Sequence, residues 1–187
     1  MISFKQRIDM IAPWVIAIVM ISLFCWLSEG WSLIVTFVPA VPVAVWLYFK
    51  TCYYTKPEPA AVLTLYLVGV GFQLLHFAEE HAFGFEKQFG VLFGGQPYNH
   101  NLFVTFNMAA YFMFILGAIG FYKGIRPFMF FGLFFIVYGM IGNAVGHIGF
   151  CFAVGGYFPG IYTCFFNLFV GIVLIRKLFK YRPALDT

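Results

Sequence analysis

Six apolar runs, each about twenty residues long, limit what this chain can fold into. They fall at roughly residues 9–28, 31–50, 59–80, 101–122, 127–150 and 158–179. The hydrocarbon core of a bilayer is about 30 Å thick and an α-helix rises about 1.5 Å per residue, so about 20 apolar residues cross it. The composition agrees: 63% of residues are hydrophobic and only 10% charged, against about 25% charged in an ordinary soluble domain. A soluble fold of this size has too little interior to bury that much apolar surface. The expected fold class is an all-α, polytopic integral membrane bundle of six transmembrane helices, forming a single domain over residues 1–187.

The breaks between the runs suit chain reversal: Ser28-Glu29-Gly30, Lys56-Pro57-Glu58-Pro59, Lys123-Gly124-Ile125-Arg126-Pro127 and Gly155-Gly156-Tyr157. Proline and glycine release the chain from the helix there. Pro39 and Pro42 fall inside the second run and are expected to kink it. The first run follows Lys5 and Arg7 but exceeds a signal-peptide core and has no small-residue cleavage site, so it reads as a retained anchor. Gly139, Gly142, Gly146 and Gly149 recur at three and four spacing in the fifth run, a pattern that permits close helix approach and is equally ordinary bundle packing.

Charge placement gives an orientation. With the N-terminus inside, ten of the eleven basic residues fall on the inner side, among them Lys5, Lys50, Lys56, Arg126 and Arg182; only Lys87 is outside. Both termini are therefore expected in the cytoplasm, and the expected location is a bacterial cytoplasmic (inner) membrane, with the lipid bilayer as partner. Trp26, Trp31, Tyr98 and Tyr157 would form the outer aromatic belt, and Trp46, Tyr48, Tyr122 and Tyr181 the inner one. The basic residues form no stripe, which excludes nucleic acid as a partner. Cys25, Cys52, Cys151 and Cys164 lack metal-binding spacing; Cys151 and Cys164 share a side, so a disulfide between them is left open. Residues 82–100 are too long for a tight turn and too apolar for a free loop. Phe83, Phe85, Phe89, Leu92 and Phe93 suggest a short interfacial segment, either a lid or a passive anchor.

In this topology the scattered polar residues gather in one outer layer. The third span ends with Gln73, His76, Glu79 and Glu80; the fourth contributes Asn107, the fifth Asn143 and His147, and the sixth starts with Tyr157, Tyr162, Thr163 and Asn167. His76, Glu79 and Glu80 are i,i+3 and i,i+4 neighbours on one face, as are Asn143 and His147. His81 falls about 140° from His76 around the helix and stands apart. A carboxylate inside a membrane is costly and requires a partner, yet no Lys or Arg is available in the outer halves of the spans. A cation, the histidines or a bound proton remain.

The residues His76-Phe77-Ala78-Glu79-Glu80, followed by the block "NAVGHIGFCFAVGGYFPGIYT", resemble the HXXEE motif-containing membrane protein family over roughly residues 10–180. That resemblance implies Asn143, His147, Tyr157, Pro159, Gly160 and Thr163 as further site residues, and no particular reaction. Phe166-Asn167 departs from the apolar-proline pair expected there and adds Asn167 to the polar layer.

Two function classes follow. The first is a metal-dependent enzyme acting on a lipid-like or small apolar substrate. Its candidate divalent-metal ligands are His76, Glu79, Glu80 and His147, holding zinc, or iron or manganese, with Glu79, Glu80 and His76 as catalytic groups. Asn107, Asn143, Tyr157, Thr163 and Gln73 would support the site or touch substrate. A metal-free variant would perform acid–base isomerisation, as sterol isomerases of the emopamil-binding type do with His and Glu on membrane helices. The second class is a cation- or proton-coupled transporter or a metal-binding protein, against which stand the apolar inner halves of the spans and the lack of an inverted repeat. The topology itself is testable: in intact cells a membrane-impermeant thiol reagent should label Lys87→Cys and spare Lys123→Cys, the reverse result inverting the orientation.

Overall fold

The computed structural model describes residues 3–55 and 57–180, all of them helix, turn or coil without a strand. The expected all-α bundle is present: six helical stretches are long and apolar enough to cross a membrane, Phe4–Leu27, Ser32–Tyr53, Pro59–Ala82, His100–Lys123, Arg126–Val154 and Ile161–Lys180. In chain order the helices are α1 (Phe4–Leu27), α2 (Ser32–Thr36), α3 (Ala40–Tyr48), α4 (Pro59–Ala82), α5 (Phe85–Leu92), α6 (His100–Lys123), α7 (Arg126–Phe134), α8 (Asn143–Val154) and α9 (Ile161–Lys180). Lys56, Tyr181 and Arg182, used above for orientation and the inner belt, lie outside the described residues.

Two spans are irregular for stated reasons. The second divides into α2 and α3 around Pro39, because a proline ring clashes with the preceding turn and has no N–H to donate. It ends in a π-helical turn, Phe49–Tyr53. The fifth joins α7 to α8 through a π-helical stretch, Phe135–Gly142. Widening the helix there shifts which face the following residues present, and the next residue is Asn143. No sequence pattern announced this stretch.

Close helix approach does use glycine, at positions other than those expected. A Cβ on Gly117 would stand 2.6 Å from the Gly132 backbone, which is what lets α6 and α7 touch. A Cβ on Gly69 or Gly171 would strike Met140. In contrast, Gly139 and Gly146 face rings of their own span, Phe135 and Phe150, and Gly149 faces open space. Gly139 and Gly146 therefore make room for local aromatics instead of drawing His147 towards α4.

The belts are also partly revised. Trp26, Trp31, Trp46 and Tyr122 are exposed as expected. Tyr48 is fully buried and donates to the Asp9 carbonyl at 2.6 Å. Tyr98 meets Ser32 Oγ at 2.6 Å and accepts from the Glu29 amide. Tyr48 ties the second span to the first, and Tyr98 ties the segment before α6 to the start of the second span. All four cysteines are free thiols.

The opposite end of the bundle from the histidines holds an ion pair that the sequence did not reveal. Asp9, buried on α1, accepts from Arg126 Nη1 at 3.0 Å, and Arg126 Nε donates to the Cys52 carbonyl at 3.1 Å. One guanidinium thus fastens the first, second and fifth spans. Asp9→Ala would leave Arg126 without its carboxylate and is expected to cost on the order of 1.5–3 kcal/mol, the worth of a charged hydrogen bond. Thermal unfolding in detergent should show the loss, and an unchanged midpoint would contradict the role.

Candidate metal centre at the His76–Glu80–His147 cluster

The site is built on two helical i,i+4 pairs. On α4, His76 and Glu80 are separated by one turn; on α8, Asn143 and His147 repeat that spacing. The spans run in the same direction, so His76 meets Asn143 and, a turn further, Glu80 meets His147. The distances are 2.7 Å from Asn143 Nδ2 to His76 Nε2 and 3.2 Å from His147 Nε2 to Glu80 Oε1. Glu80 Oε1 is also 3.3 Å from His76 Nε2. Both imidazoles are wholly buried and Glu80 nearly so. His76 Nε2, Glu80 and His147 thus offer three donor atoms that all lie within 4.8 Å of one another, a group that could hold a metal ion.

Glu79, its neighbour in sequence, does something different. Its Oε1 accepts from the Tyr157 hydroxyl at 2.9 Å and from the backbone N–H groups of Gly160 and Tyr162 at 3.1 and 3.2 Å. Its Oε2 accepts from the Thr163 N–H at 2.9 Å and the Thr163 hydroxyl at 2.6 Å. The carboxylate therefore sits on the N-terminus of α9, where unpaired N–H groups and the helix dipole favour negative charge. Partial burial and the Glu79 carboxylate hold the Tyr157 phenol above its ordinary value, so it remains a donor. With five hydrogen bonds already made, Glu79 is not among the three groups that converge.

The same network fixes the state of His76. Thr163 has one hydroxyl proton and gives it to Glu79. At 3.0 Å from His76 Nδ1, the Thr163 oxygen must therefore accept, so Nδ1 carries a proton and, in the neutral ring, Nε2 is the nitrogen left to bind. His76 Nε2 lies 2.7 Å from Asn143 Nδ2 and 3.3 Å from Glu80 Oε1, and His147 Nε2 also faces Glu80 Oε1. Neither ring nitrogen of His147 has a hydrogen-bond partner. Two imidazoles and a carboxylate this close and this buried need a cation or a proton between them.

The surroundings close the site. Gly160, in the turn before α9, has φ +100°, and a Cβ there would fall 2.3 Å from His147 Cε1 and 2.8 Å from His76 Cε1. The segment after α4 forms α5, which is packed against the bundle, with Phe85, Glu86, Phe89 and Gly90 buried. The Phe85 ring lies 5.5 Å from that of His147. Residues 82–100 therefore roof the cluster, while Phe83 alone of the expected anchor phenylalanines is strongly exposed.

The remaining candidates lie around this centre. Gln73 is buried; its side-chain oxygen accepts from Asn167 Nδ2 at 2.7 Å and its carbonyl accepts from the Tyr111 hydroxyl. Asn107 donates to the Phe103 carbonyl and, with Gln73, Glu80 and Asn143, borders an apolar cavity of ≈ 210 Å³. His81 is exposed, its ring tilted against that of His100 at 5.1 Å, away from the cluster as its helical angle required. Gly160, which the resemblance implied as a site residue, lies against both imidazoles; its steric role there was not legible in the sequence.

The fold and the site together define a six-span helical membrane protein with a buried His/Glu/His group. No family model, no curated protein and no solved structure matches this chain. Gly160→Ala combines a disfavoured backbone angle with a collision against both imidazoles, and is expected to destabilise by about 1–3 kcal/mol. A thermal midpoint equal to that of the parent protein would show that the turn does not press on the histidines.

Proposed function

We propose that this protein is a membrane-embedded, metal-dependent enzyme acting on a lipid-like or small apolar substrate. His76, Glu80 and His147 hold its divalent cation. The observation that carries this reading is the arrangement of lone pairs: three buried donor atoms converge, and His147 has no hydrogen bond of its own. A tetrahedral ion with bonds of about 2.0–2.1 Å sets its ligand atoms about 3.3 Å apart. The 3.3 and 3.2 Å separations from Glu80 to the two imidazoles are close to two such edges, and the three atoms together lie within 4.8 Å of one another. Two histidines and one carboxylate with further positions open suit zinc in hydrolytic sites and ferrous iron in oxygen chemistry. Glu79, counted with the ligands on sequence grounds, becomes a positioning residue in this reading.

Bound there, the cation supplies Lewis acidity towards a carbonyl or a water molecule. The protein's own residues do the rest. Glu79, through the Thr163 hydroxyl, holds His76 in the tautomer that presents Nε2, the kind of support that raises metal affinity about 10–100-fold. Asn143 occupies that lone pair with its NH₂ group; turned over, the same amide offers its oxygen as a fourth donor. Phe85 and the Gly160 turn exclude bulk water. Glu80 has a second oxygen with which to take or give a proton at the cavity wall. That last feature favours one alternative, a metal-free acid–base isomerase in which Glu80 works against His147.

Elemental analysis of the purified protein decides between them. Near-stoichiometric zinc, iron or manganese is expected, lost in His147→Ala and bound about 10–100-fold more weakly in Thr163→Val, with Thr163→Ser retaining it. Metal-free protein that turns over substrate would eliminate the metal reading and leave the isomerase.

A further inference from the structure

The cavity beside Glu80 is not a sealed void. α1 packs against α2, α3 and α7, whereas α6 packs against α4 and α7. The cavity occupies the seam between α1 and α6, lined by Met20, Leu23 and Phe24 from one and Phe106, Ala110 and Met113 from the other. Leu23 is 41% exposed and Met113 39% exposed, so the walls of the cavity reach the lipid-facing surface. Its inner end meets Glu80 and Asn143, the latter bonded to His76. The opening is therefore to lipid and the far end is polar.

The lining specifies what fits. Aromatic rings dominate it, among them Phe24, Phe37, Phe106 and Phe134, and Phe24, Phe37 and Phe106 pack on one another at 5.0–6.2 Å. No Lys or Arg borders the space, and the acidic group at its end is Glu80. A phosphate there would lack a partner and face a carboxylate. Ligand pockets of this kind are mostly apolar, with a few polar groups that fix orientation. At ≈ 210 Å³ the space suits one slender chain or ring better than a two-chain lipid, since ligand pockets generally run from about 300 to 1,000 Å³.

We infer that the α1–α6 seam is a lateral portal for a single slender hydrocarbon bearing one small, uncharged oxygen group, an alcohol or a carbonyl. The molecule enters from the bilayer, lies among the phenylalanines and presents its oxygen to Asn143 and Glu80. This deepens the proposed enzyme reading and rests on it for the chemical role of the polar end. The capture itself is independent of the metal.

The test uses the full-length protein in lipid nanodiscs. A long-chain alcohol carrying a diazirine is photolysed in parallel with a phosphatidylcholine carrying the same diazirine chain, and adducts are mapped by mass spectrometry. The alcohol should mark residues 20–27 of α1 and 102–114 of α6, and an excess of unlabelled alcohol should remove the label. Ala110→Trp, which fills the cavity, should reduce labelling at least tenfold with metal content unchanged; Met113→Trp at the rim provides a second variant should the first fail to fold. Equal labelling of these residues by the phospholipid, label that free alcohol does not displace, or label that survives the folded tryptophan variants would overturn the inference. Metal-free protein that still captures the alcohol in the seam would sink the metal reading and uphold the portal. A metal-loaded protein without capture would do the opposite.

Discussion

The hydrogen bonds between Glu79 and the start of α9 are the interaction on which the rest of the site depends. A helix leaves its first N–H groups unsatisfied, and the turn that leads into α9 is buried at Phe158, Pro159 and Gly160. Here a carboxylate from α4 takes three of them together with two hydroxyls. Each such charge-assisted bond is about twice as strong as a neutral one. The pairing answers two costs at once, a buried charge and an uncapped helix, and it fixes the height of α9 against α4. From that height follow the Gly160 turn on the imidazoles and the Thr163 hydroxyl against His76.

Adjacent acids on one helix thereby take opposite parts. Glu79 has its charge met by donors and becomes part of the scaffold. Glu80 faces the two imidazoles, which is where chemistry can begin. The separation is only one residue, yet 100° of helical rotation points one carboxylate at α9 and the other at α8. The ion pair of Asp9 with Arg126 shows the same logic at the far end, where a charge in a span is tolerated because a partner comes from another helix.

The polar layer was legible in the sequence because a membrane makes polarity conspicuous. Against apolar spans, His76, Glu79, Glu80, Asn143 and His147 stand out, and i,i+4 spacing places them on faces. Other features were not legible. Spacing put Glu79 and Glu80 on the same face as His76, so it could not say which acid joins the imidazoles. Tyr48 and Tyr98 looked like belt residues because tyrosine at a span end usually is one; the Tyr48 hydroxyl bridges two spans and that of Tyr98 holds the segment before α6 on the second span. Gly139 and Gly146 had the right spacing for close approach, but the aromatic rings of Phe135 and Phe150 took the space they left. The Asp9–Arg126 pair joins residues 117 positions apart, a distance over which no local pattern carries information.

By itself the sequence determined that this chain crosses a membrane as helices, about where each span begins and ends, and which polar residues share a layer. Those properties follow from local quantities, hydropathy per turn and residues per turn. The tertiary structure alone decided which carboxylate holds α9 and which meets the histidines, where the π-helical stretch turns the fifth span, and where a cavity opens between α1 and α6. Those depend on how helices distant in sequence settle against one another, where a displacement of one residue exchanges a ligand for a cap.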